Sequence, residues 1–226
     1  MTKESNPISI VMLGASGAVG TEALKVLLPN KNIKQLTLLG RNPIPNIKED
    51  FVKQHKIDIS DTNYYDQFLP NHSAAICTLG VGQPTKMSKE EFVKIDKTAV
   101  LDFAKACKAN SVKHFELLAS VGINPKSKSH YLRTKGELVE ELKALNFERL
   151  SIFKPSMILT PTNRYGIAQG ITLKVWPLLK YLFVGSAKKY RGIKVNVLGE
   201  AMAKNVFNEG EGYEELHWDK FYAVIE

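Results

Sequence analysis

The sequence contains only two cysteines among its 226 residues, Cys77 and Cys107, and they do not have the spacing of a metal or redox motif. This scarcity excludes a small disulfide-stapled scaffold and favours a protein of the reducing cytoplasm. The five histidines are scattered along the chain, and none pairs with another metal-type ligand in a recognisable pattern. We therefore predict no metal site.

The sequence also lacks an apolar run that could cross a membrane. The longest candidates, residues 8–13 and 171–183, are too short or too interrupted to span the hydrocarbon layer. The first ten residues, MTKESNPISI, show no basic region followed by an apolar core and a cleavage site, so we expect no signal peptide. With 44% hydrophobic and 24% charged residues, the composition is that of a globular protein without a membrane partner.

Acidic residues are fewer than basic ones, 23 against 31, which gives a formal net charge of +8. The basic residues are spread along the whole chain, with a modest cluster in SAKKYRGIK at residues 186–194. Solvated surface lysines are the favoured interpretation. A nucleic-acid partner is disfavoured because no recognised nucleic-acid motif accompanies the charge. A phosphate-bearing small molecule would also gain from the positive field.

Short β-rich runs alternate with helical patterns over the first two thirds of the chain. Strands are predicted at residues 8–13, 34–40, around Ile57, 74–80, 113–120 and 149–155. Helices are predicted at residues 21–28, near 64–68, 88–109 and 130–145, and Ser88 and Glu91 form a capping box at the start of the third. This alternation predicts right-handed βαβ units and an α/β fold with a Rossmann-like, doubly wound, mostly parallel sheet.

The pattern becomes looser after Pro155. A polar loop at residues 160–170 precedes an aromatic-rich helix at 171–183, a basic loop, a short strand near 193–197 and a helix at 198–208. The aromatic helix is expected to be core by default, or else to wall a pocket. We therefore expect a single domain over residues 1–226, with a dinucleotide-binding core at 1–158 and a small substrate-capping region at 159–226.

Three glycines, Gly14, Gly17 and Gly20, recur at three-residue intervals in MLGASGAVGTEAL, between the first predicted strand and the first helix. Gly14 permits a tight turn, Gly17 lets the backbone approach a pyrophosphate, and Gly20 allows close packing of helix on strand. The start of the helix presents free N–H groups to the anion. This context predicts a dinucleotide-binding turn, and a plain glycine-rich turn is the alternative.

The end of the second strand indicates which dinucleotide is bound. NAD sites place an acidic residue there, whereas this chain reads LLGRNP, with Arg41 and no acid. A guanidinium suits a 2′-phosphate, so NADP(H) is favoured over NAD(H), unless Arg41 is simply a surface residue. Asp58, in the third predicted strand, is expected either to accept from the adenine amino group or to belong to a helix-capping cluster.

The segment YLRTK places Tyr131 and Lys135 four residues apart, on one face of a predicted helix. An ammonium so placed stabilises negative charge on the phenol oxygen and can reach the nicotinamide ribose. Tyr131 could then give a proton to a substrate carbonyl oxygen as a hydride arrives. Ser120, where the fifth strand ends, lies at the sheet edge where ligands bind and could hold that carbonyl. Tyr and Lys at this spacing are otherwise common on helix surfaces.

The chain resembles the atypical branch of the short-chain dehydrogenase/reductase superfamily, and within it the Tat-interacting-protein-like oxidoreductases with an NAD(P)H-binding domain. The resemblance covers most of the chain to about Ile158. The matching segments occur in the family's order: LGASGAVG, LLGRNP, CTLG, KHFELLASVG, YLRTKGELVEEL and ERLSIFKPSMIL. Relatives usually have two serines where this chain has Ala119 and Ser120, and often Pro-Gly where it has Pro155 and Ser156.

The resemblance implies a catalytic set of Ser120, Tyr131 and Lys135. It also implies that the glycine turn lines the pyrophosphate, that Arg41 contacts the 2′-phosphate, and that Thr78 and Leu79 flank the adenine ribose. The full set of predicted cofactor contacts is Gly14, Ser16, Gly17, Ala18, Val19, Arg41, Asp58, Ile59, Thr78, Leu79, Gly80, Tyr131, Lys135 and Pro155.

Two functions are compatible with these residues. The first is an NADP(H)-dependent oxidoreductase that transfers a hydride to a carbonyl-like group of a small, largely apolar substrate, acting as a monomer or homodimer. The second is an NADP(H)-binding regulator or interaction module without turnover, since a fold does not fix a function. The complete catalytic trio favours the enzyme, because a sensor has no need of it.

Overall fold

The computed structural model describes residues 7–82, 86–161 and 183–226, without the side chains of Thr62 and Asn63. Seven parallel strands form the central sheet in the order β3-β2-β1-β4-β5-β6-β9. Two further short strands, β7 and β8, pair in parallel beside it. The strands are β1 Ile8–Leu13, β2 Ile33–Gly40, β3 Val52–Lys56, β4 Ala74–Cys77, β5 His114–Leu118, β6 Arg149–Phe153, β7 Ile158–Leu159, β8 Ile193–Lys194 and β9 Gly212–Leu216.

Helices cover both faces of this sheet. They are α1 Ala18–Leu27, α2 Thr62–Asp66, α3 Lys89–Val93, α4 Ala99–Ala109, α5 His130–Ala144, α6 Val195–Asn205 and α7 Trp218–Ile225. A π-helical turn, Lys94–Thr98, joins α3 to α4, and a 3₁₀ turn, Gly185–Tyr190, precedes β8. One face carries α2, α4 and α5, and the other carries α1, α6 and α7. The predicted Rossmann-like, doubly wound parallel sheet is confirmed.

The central strand shows why the sequence adopts this architecture. Alternate residues of β1 enter opposite cores: Val11 and Leu13 pack on the α4 and α5 side, whereas Ile10 and Met12 pack on the α1 and α6 side. A strand covered on both faces requires apolar side chains at successive positions, which is the pattern that the sequence shows. The reversal of strand order between β1 and β4 leaves a crevice at their carboxyl ends, where ligands bind in such folds.

Several predicted boundaries were wrong. The third strand was expected around Ile57 but is Val52–Lys56, so Asp58 lies after the strand instead of within it. The strand near 193–197 ends at Lys194, and the following helix begins at Val195 instead of 198. The long helix at 88–109 is interrupted by the π-helical turn, although its capping box of Ser88 and Glu91 is confirmed.

Residues 171–182 of the aromatic helix predicted at 171–183, and residues 162–170 of the loop predicted at 160–170, lie outside the described residues. Strand β9 and helix α7 were not predicted at all. In the part of the chain that the structure describes, no helix is long and apolar enough to cross a bilayer.

Candidate functional site

A cleft of about 350 Å³ opens at the carboxyl ends of β1, β2 and β4. Its walls come from the glycine turn after β1, the loop after β2, part of β3 and the loop after β4, and the π-helical turn contributes Ile95. The lining residues are Leu13, Gly14, Ala15, Ser16, Leu38, Leu39, Gly40, Arg41, Asn42, Pro43, Ile44, Gln54, His55, Ile59, Leu79, Gly80, Val81, Gly82, Met87 and Ile95.

The glycine turn is fixed to the end of β4. Gly14 has φ +92°, and a Cβ there would lie 2.6 Å from the backbone nitrogen of Leu79, so only glycine fits. The Thr78 hydroxyl donates to the Gly14 carbonyl at 2.9 Å. Thr78 was predicted to flank the adenine ribose. Its side chain is buried and anchors the glycine turn from behind.

Helix α1 starts directly behind this turn. Gly17 is its N-cap residue and donates its N–H to the Gly14 carbonyl at 2.9 Å. A Cβ at Gly20 would approach that carbonyl oxygen to 2.3 Å, so helix and turn are in contact as predicted. Because the first N–H groups of a helix have no intrahelical acceptor, those of Ala18 and Val19 suit an anion such as a pyrophosphate.

The rim of the cleft after β2 carries an exposed guanidinium. Arg41 lies at the surface beside Asn42 and Pro43. The loop behind it is held by Gln54, whose amide accepts from the Ile44 N–H at 2.7 Å and donates to the Ile44 carbonyl at 3.1 Å. Arg41 therefore presents an exposed cation at the rim of the cleft, and its contact with a 2′-phosphate stays a prediction.

Two residues of β3 were missed from the sequence as part of this wall. Gln54 fixes the Arg41 loop, and His55 lines the cleft with its ring stacked on Phe68 at a centroid distance of 3.7 Å. Burial lowers the pKa of His55, which favours the neutral ring. The strand reads VKQHK, a polar pattern that gave no signal of a binding wall.

Asp58 lies outside the cleft lining, although its neighbour Ile59 is part of it. The Asp58 carboxylate accepts from the Ser60 hydroxyl at 2.6 Å and from the Ser60 N–H at 2.9 Å, and these bonds lower its pKa. It is exposed and forms a local turn, so its contact with the adenine amino group stays a prediction.

Tyr131 and Lys135 lie on one face of α5, as their spacing predicts. The Lys135 ammonium is 5.7 Å from the centroid of the Tyr131 ring, whose other neighbour is Phe92 at 5.5 Å between centroids. Lys135 is 7% exposed, and its Nζ lies 2.7 Å from Oδ1 of the buried Asp96. The sequence gave no indication of this partner.

The loops after β5 and β6 are tied together beside α5. The Val121 N–H donates to the Pro155 carbonyl at 2.8 Å, and the Ala119 N–H donates to the Phe153 carbonyl at 2.8 Å. Ser120 lies between these two bonds at the carboxyl edge of the sheet, with its hydroxyl donating to the Val121 carbonyl at 3.4 Å. Its position therefore depends on two flanking backbone contacts.

Helix α5 approaches the β5 loop closely because of Gly136, next to Lys135. A Cβ at this position would lie 2.4 Å from the backbone carbon of Asn124 and 2.5 Å from the nitrogen of Pro125. The Asn124 N–H also donates to the Leu132 carbonyl at 3.2 Å. Gly136 thus sets the distance between the loop that carries Ser120 and the helix that carries Tyr131, and sequence reasoning missed it.

The predicted site residues fall into three groups. Gly14, Ser16, Arg41, Ile59, Leu79 and Gly80 line the cleft, and Gly17, Ala18, Val19 and Thr78 support it. The remainder, Ser120, Tyr131, Lys135 and Pro155, lie outside its lining, as Asp58 does. The cleft and the group formed by Ser120, Tyr131, Lys135 and Pro155 are the two parts of the candidate site. They meet at Gly80, where a Cβ would lie 3.9 Å from the Lys135 ammonium.

Metal chemistry has no support in this region. Within residues 7–82, 86–161 and 183–226, no group of three or more His, Cys, Asp or Glu side chains could hold a metal ion. Cys77, at the end of β4, is a buried free thiol, and burial raises its pKa to about 12. The groups suited to binding an anion here include backbone N–H donors, Arg41 and the Lys135 ammonium.

Known proteins resemble this chain in sequence or in fold. Protein HTATIP2 of Rattus norvegicus is 31% identical over 92% of this chain and 85% of its own length. Protein FMP52-1, mitochondrial, of Scheffersomyces stipitis is 29% identical over 85% of this chain and 81% of its own length. The solved structure of MoeE5 in complex with UDP-glucuronic acid and NAD has a TM-score of 0.71 at 15% identity, covering 92% of this chain and 75% of that one.

A family model described as NAD(P)H-binding matches residues 14–165. This span begins at the glycine turn and includes the cleft, the β5 loop, Tyr131 and Lys135. Its match agrees with the resemblance to the atypical short-chain dehydrogenase/reductases and with the structural similarity to an NAD-bound Rossmann-type protein. The chain belongs to the NAD(P)H-binding family.

Proposed function

We propose that this protein is an NADPH-dependent reductase of a carbonyl-like group on a small molecule. The observation that carries the proposal is the buried Lys135 ammonium, which lies under the Tyr131 ring at the point where the dinucleotide cleft meets α5. Most lysines lie at the surface, because burying an ammonium is costly unless it is paired and hydrogen-bonded. Perturbed ionisable groups beside a cleft are typical of functional sites.

The residues of the cleft divide the binding work. The N–H groups at the start of α1 hold the pyrophosphate, and Arg41 holds the 2′-phosphate, which distinguishes NADPH from NADH. Lys135, whose ammonium lies close to Gly80, would donate to the nicotinamide ribose. When bound, the dinucleotide supplies the hydride for the reduction.

Two side chains act on the substrate. Tyr131 gives its phenolic proton to the carbonyl oxygen, on which negative charge grows as the carbon is reduced. The Lys135 ammonium stabilises the phenolate that remains, and a solvent proton later restores the phenol. Ser120 donates a hydrogen bond to the same oxygen and orients the carbonyl. The product is an alcohol, formed from one hydride and one proton.

One observation favours the second candidate, a regulator that binds the dinucleotide without turnover. The cleft is lined by cofactor-binding loops and not by Ser120, Tyr131 or Lys135. Such a protein would need the glycine turn and Arg41 but would not use the phenol. The two candidates therefore differ in what happens when Tyr131 is replaced.

The test is NADPH oxidation against a panel of aldehydes, ketones and quinones, with the native chain, Tyr131→Phe and the control Tyr64→Phe. Tyr64 is an exposed tyrosine of α2, 50% accessible, and should tolerate the same change. We expect Tyr131→Phe to lose at least about a hundredfold in turnover with NADPH affinity retained. NADPH binding by the native chain without turnover of any compound would favour the regulator instead.

A further inference from the structure

Asp96 occupies an unusual place in the fold. It lies in the π-helical turn Lys94–Thr98 and is 1% exposed. A π turn adds a residue to a helical turn and re-aims the side chains around it, and such turns occur frequently at functional sites. A buried carboxylate is costly unless charged or N–H partners surround it, so its contacts require an explanation.

The Asp96 carboxylate joins the two parts of the candidate site. Its Oδ2 accepts the N–H of Val81 at 2.8 Å, and Val81 lines the dinucleotide cleft. Its Oδ1 lies 2.7 Å from the Lys135 ammonium. A Cβ at Gly80 would lie 3.3 Å from this same oxygen, so the loop after β4 passes directly over the ion pair.

Asp96 also favours the charged form of Lys135. Among the residues that the structure describes, the titratable groups facing the ammonium are Asp96 from the π-helical turn, Tyr131 from its own helix and the Cys77 thiol from β4. Burial lowers the pKa of Lys135, but the Asp96 carboxylate, followed by Tyr131, outweighs it, so the net shift is upward. Without this carboxylate, desolvation would favour the neutral amine.

We propose that Asp96 is a positioning residue, which keeps Lys135 charged and holds it against the Val81 loop of the dinucleotide cleft. The ammonium is then fixed by a side chain that also shapes the cofactor loop, so cofactor binding and the charge beside Tyr131 depend on one carboxylate. The part of this inference that concerns turnover rests on the proposed reductase function. The part that concerns NADPH binding does not.

Asp96→Asn removes the negative charge and the acceptor that faces Lys135, while its amide oxygen can still accept from Val81. Asp102→Asn is the control, since Asp102 lies on the adjoining α4 and is half-buried beside Lys105 at 4.0 Å. The measurement is the NADPH dissociation constant between about pH 6.5 and 9.5, with thermal unfolding to check the fold. It uses the full chain and requires no substrate.

For the native chain and Asp102→Asn we expect the affinity to change little across this range. Asp96→Asn should bind NADPH at least as tightly near pH 6.5, because a negative charge beside an anionic ligand is gone. It should then lose about tenfold by about pH 9, as the unpaired ammonium gives up its proton. Superimposable curves for the native chain and Asp96→Asn would overturn the proposal.

A second readout applies once a substrate reduction is found. In Asp96→Asn the high-pH limit of the reduction rate should move down by about one pH unit or more, whereas a merely structural change would lower the rate at all pH values alike. If the native chain binds NADPH and reduces nothing, the reductase function fails, and the binding curves still decide the role of Asp96.

A double variant covers the case in which Asp96→Asn does not fold because it strands a buried ammonium. Asp96→Asn/Lys135→Met contains neither charge and retains the acceptor for Val81. If the double variant folds where the single one does not, the ion pair is the reason, which supports the proposal. If both fail to fold, Asp96 acts independently of Lys135 and the proposal is wrong.

Discussion

Arg149 at the start of β6 donates from Nη2 to Oδ1 of Asn205 at 2.9 Å, across the interface between the sheet and α6. Its Nη1 donates to the carbonyls of Asn205 and Asn208 at 3.0 and 2.6 Å. Its Nε and Nη2 lie 2.8 and 2.7 Å from Oε1 of Glu214 in β9. All five guanidinium N–H groups thus join three elements at the amino edge of the sheet.

Arg149→Met should therefore destabilise the protein strongly. The change keeps an apolar stem of similar length but removes the cation that faces Glu214, whose carboxylate then retains the Ser151 hydroxyl as donor, and it takes the Arg149 donor from the carbonyls of Asn205 and Asn208. Breaking a buried ion pair by removing one partner costs about 3–5 kcal/mol. The measurement is the free energy of unfolding from urea denaturation, with circular dichroism as the signal.

Arg133→Met provides the matched comparison. Its Nε lies 3.9 Å from Glu137 on the same helix, and its side chain is 40% exposed. Such a surface pair contributes about 0.5 kcal/mol or less. If both variants lost the same stability, the Arg149 contacts would not be responsible for holding α6 and β9 to the sheet.

The same buried region should make stability depend on pH through His114. Its ring nitrogen lies 2.8 Å from the Ser151 hydroxyl and 3.6 Å from Oε1 of Glu116. Burial first, and Arg149 second, lower the pKa of His114 from 6.5 to about 3. Burial also raises the pKa of Glu116 well above its usual value, so the neutral His114 ring faces a carboxyl group whose protonated form is favoured by its surroundings.

The folded state keeps His114 neutral. Its contribution to the free energy of unfolding is therefore complete above pH 6.5 and is lost as the pH falls towards about 3. Between about pH 6.5 and 4.5 this loss amounts to about 2–3 kcal/mol. Glu116 acts in the opposite direction over this range, since its raised pKa favours the folded state as the pH falls.

His114→Gln isolates the contribution of the histidine, because glutamine does not titrate and Glu116 is unchanged in the variant. We expect the unfolding free energy of the native chain to fall more steeply than that of the variant, by about 2–3 kcal/mol over the same two pH units. Urea midpoints at a series of pH values measure this difference. Parallel curves would show that protonation of His114 does not lower the stability of the folded protein.

The central fold follows directly from the apolar pattern, whereas its edges do not. Strand β1 is recognisable because both of its faces are buried, and β4 is buried at all four positions. Strand β9 reads GYEEL, and its two glutamates resemble a loop. They fit because Glu214 meets Arg149 and Glu215 meets Lys154 at 2.8 Å, partners that lie more than 60 residues away.

The residues of the candidate site also differ in whether the sequence reveals them. Residues that act through local backbone geometry, such as Gly14 and Gly20, are visible in the spacing of the sequence. Asp96 and Gly136 are not, because their importance arises only when the π-helical turn and the β5 loop pack against α5. A glycine in a helix and an acid between lysines are each ordinary in sequence.

Gly136→Ala tests whether close packing sets the geometry of α5. Helix propensity alone would make this change stabilising by about 1 kcal/mol. The new methyl group would instead lie 2.4 Å from the backbone of Asn124, and overpacking of this kind costs about 1–3 kcal/mol. We expect net destabilisation in urea unfolding and a lower reduction rate, because Ser120 and Tyr131 are carried by the two elements forced apart. A stabilised variant with native activity would contradict this view.

The preference for NADPH is tested by Arg41→Ala. A guanidinium forms charge-assisted hydrogen bonds with phosphate, and each contributes about 1.5–3 kcal/mol. The variant should therefore bind NADPH about 10- to 100-fold more weakly, whereas NADH, which lacks the 2′-phosphate, should change by about twofold or less. Dissociation constants from fluorescence titration give both numbers.

Lys34→Ala is the control for this change, because Lys34 is an exposed cation at the opposite end of the same strand, β2. It removes one positive charge from the chain without approaching the cleft, so it reports the effect of net charge alone on an anionic ligand. We expect both dinucleotides to bind this variant almost as they bind the native chain. Equal losses of NADPH and NADH affinity in Arg41→Ala would mean that the guanidinium does not contact the 2′-phosphate, and discrimination would then have to come from other residues of the rim, such as Asn42 or His55.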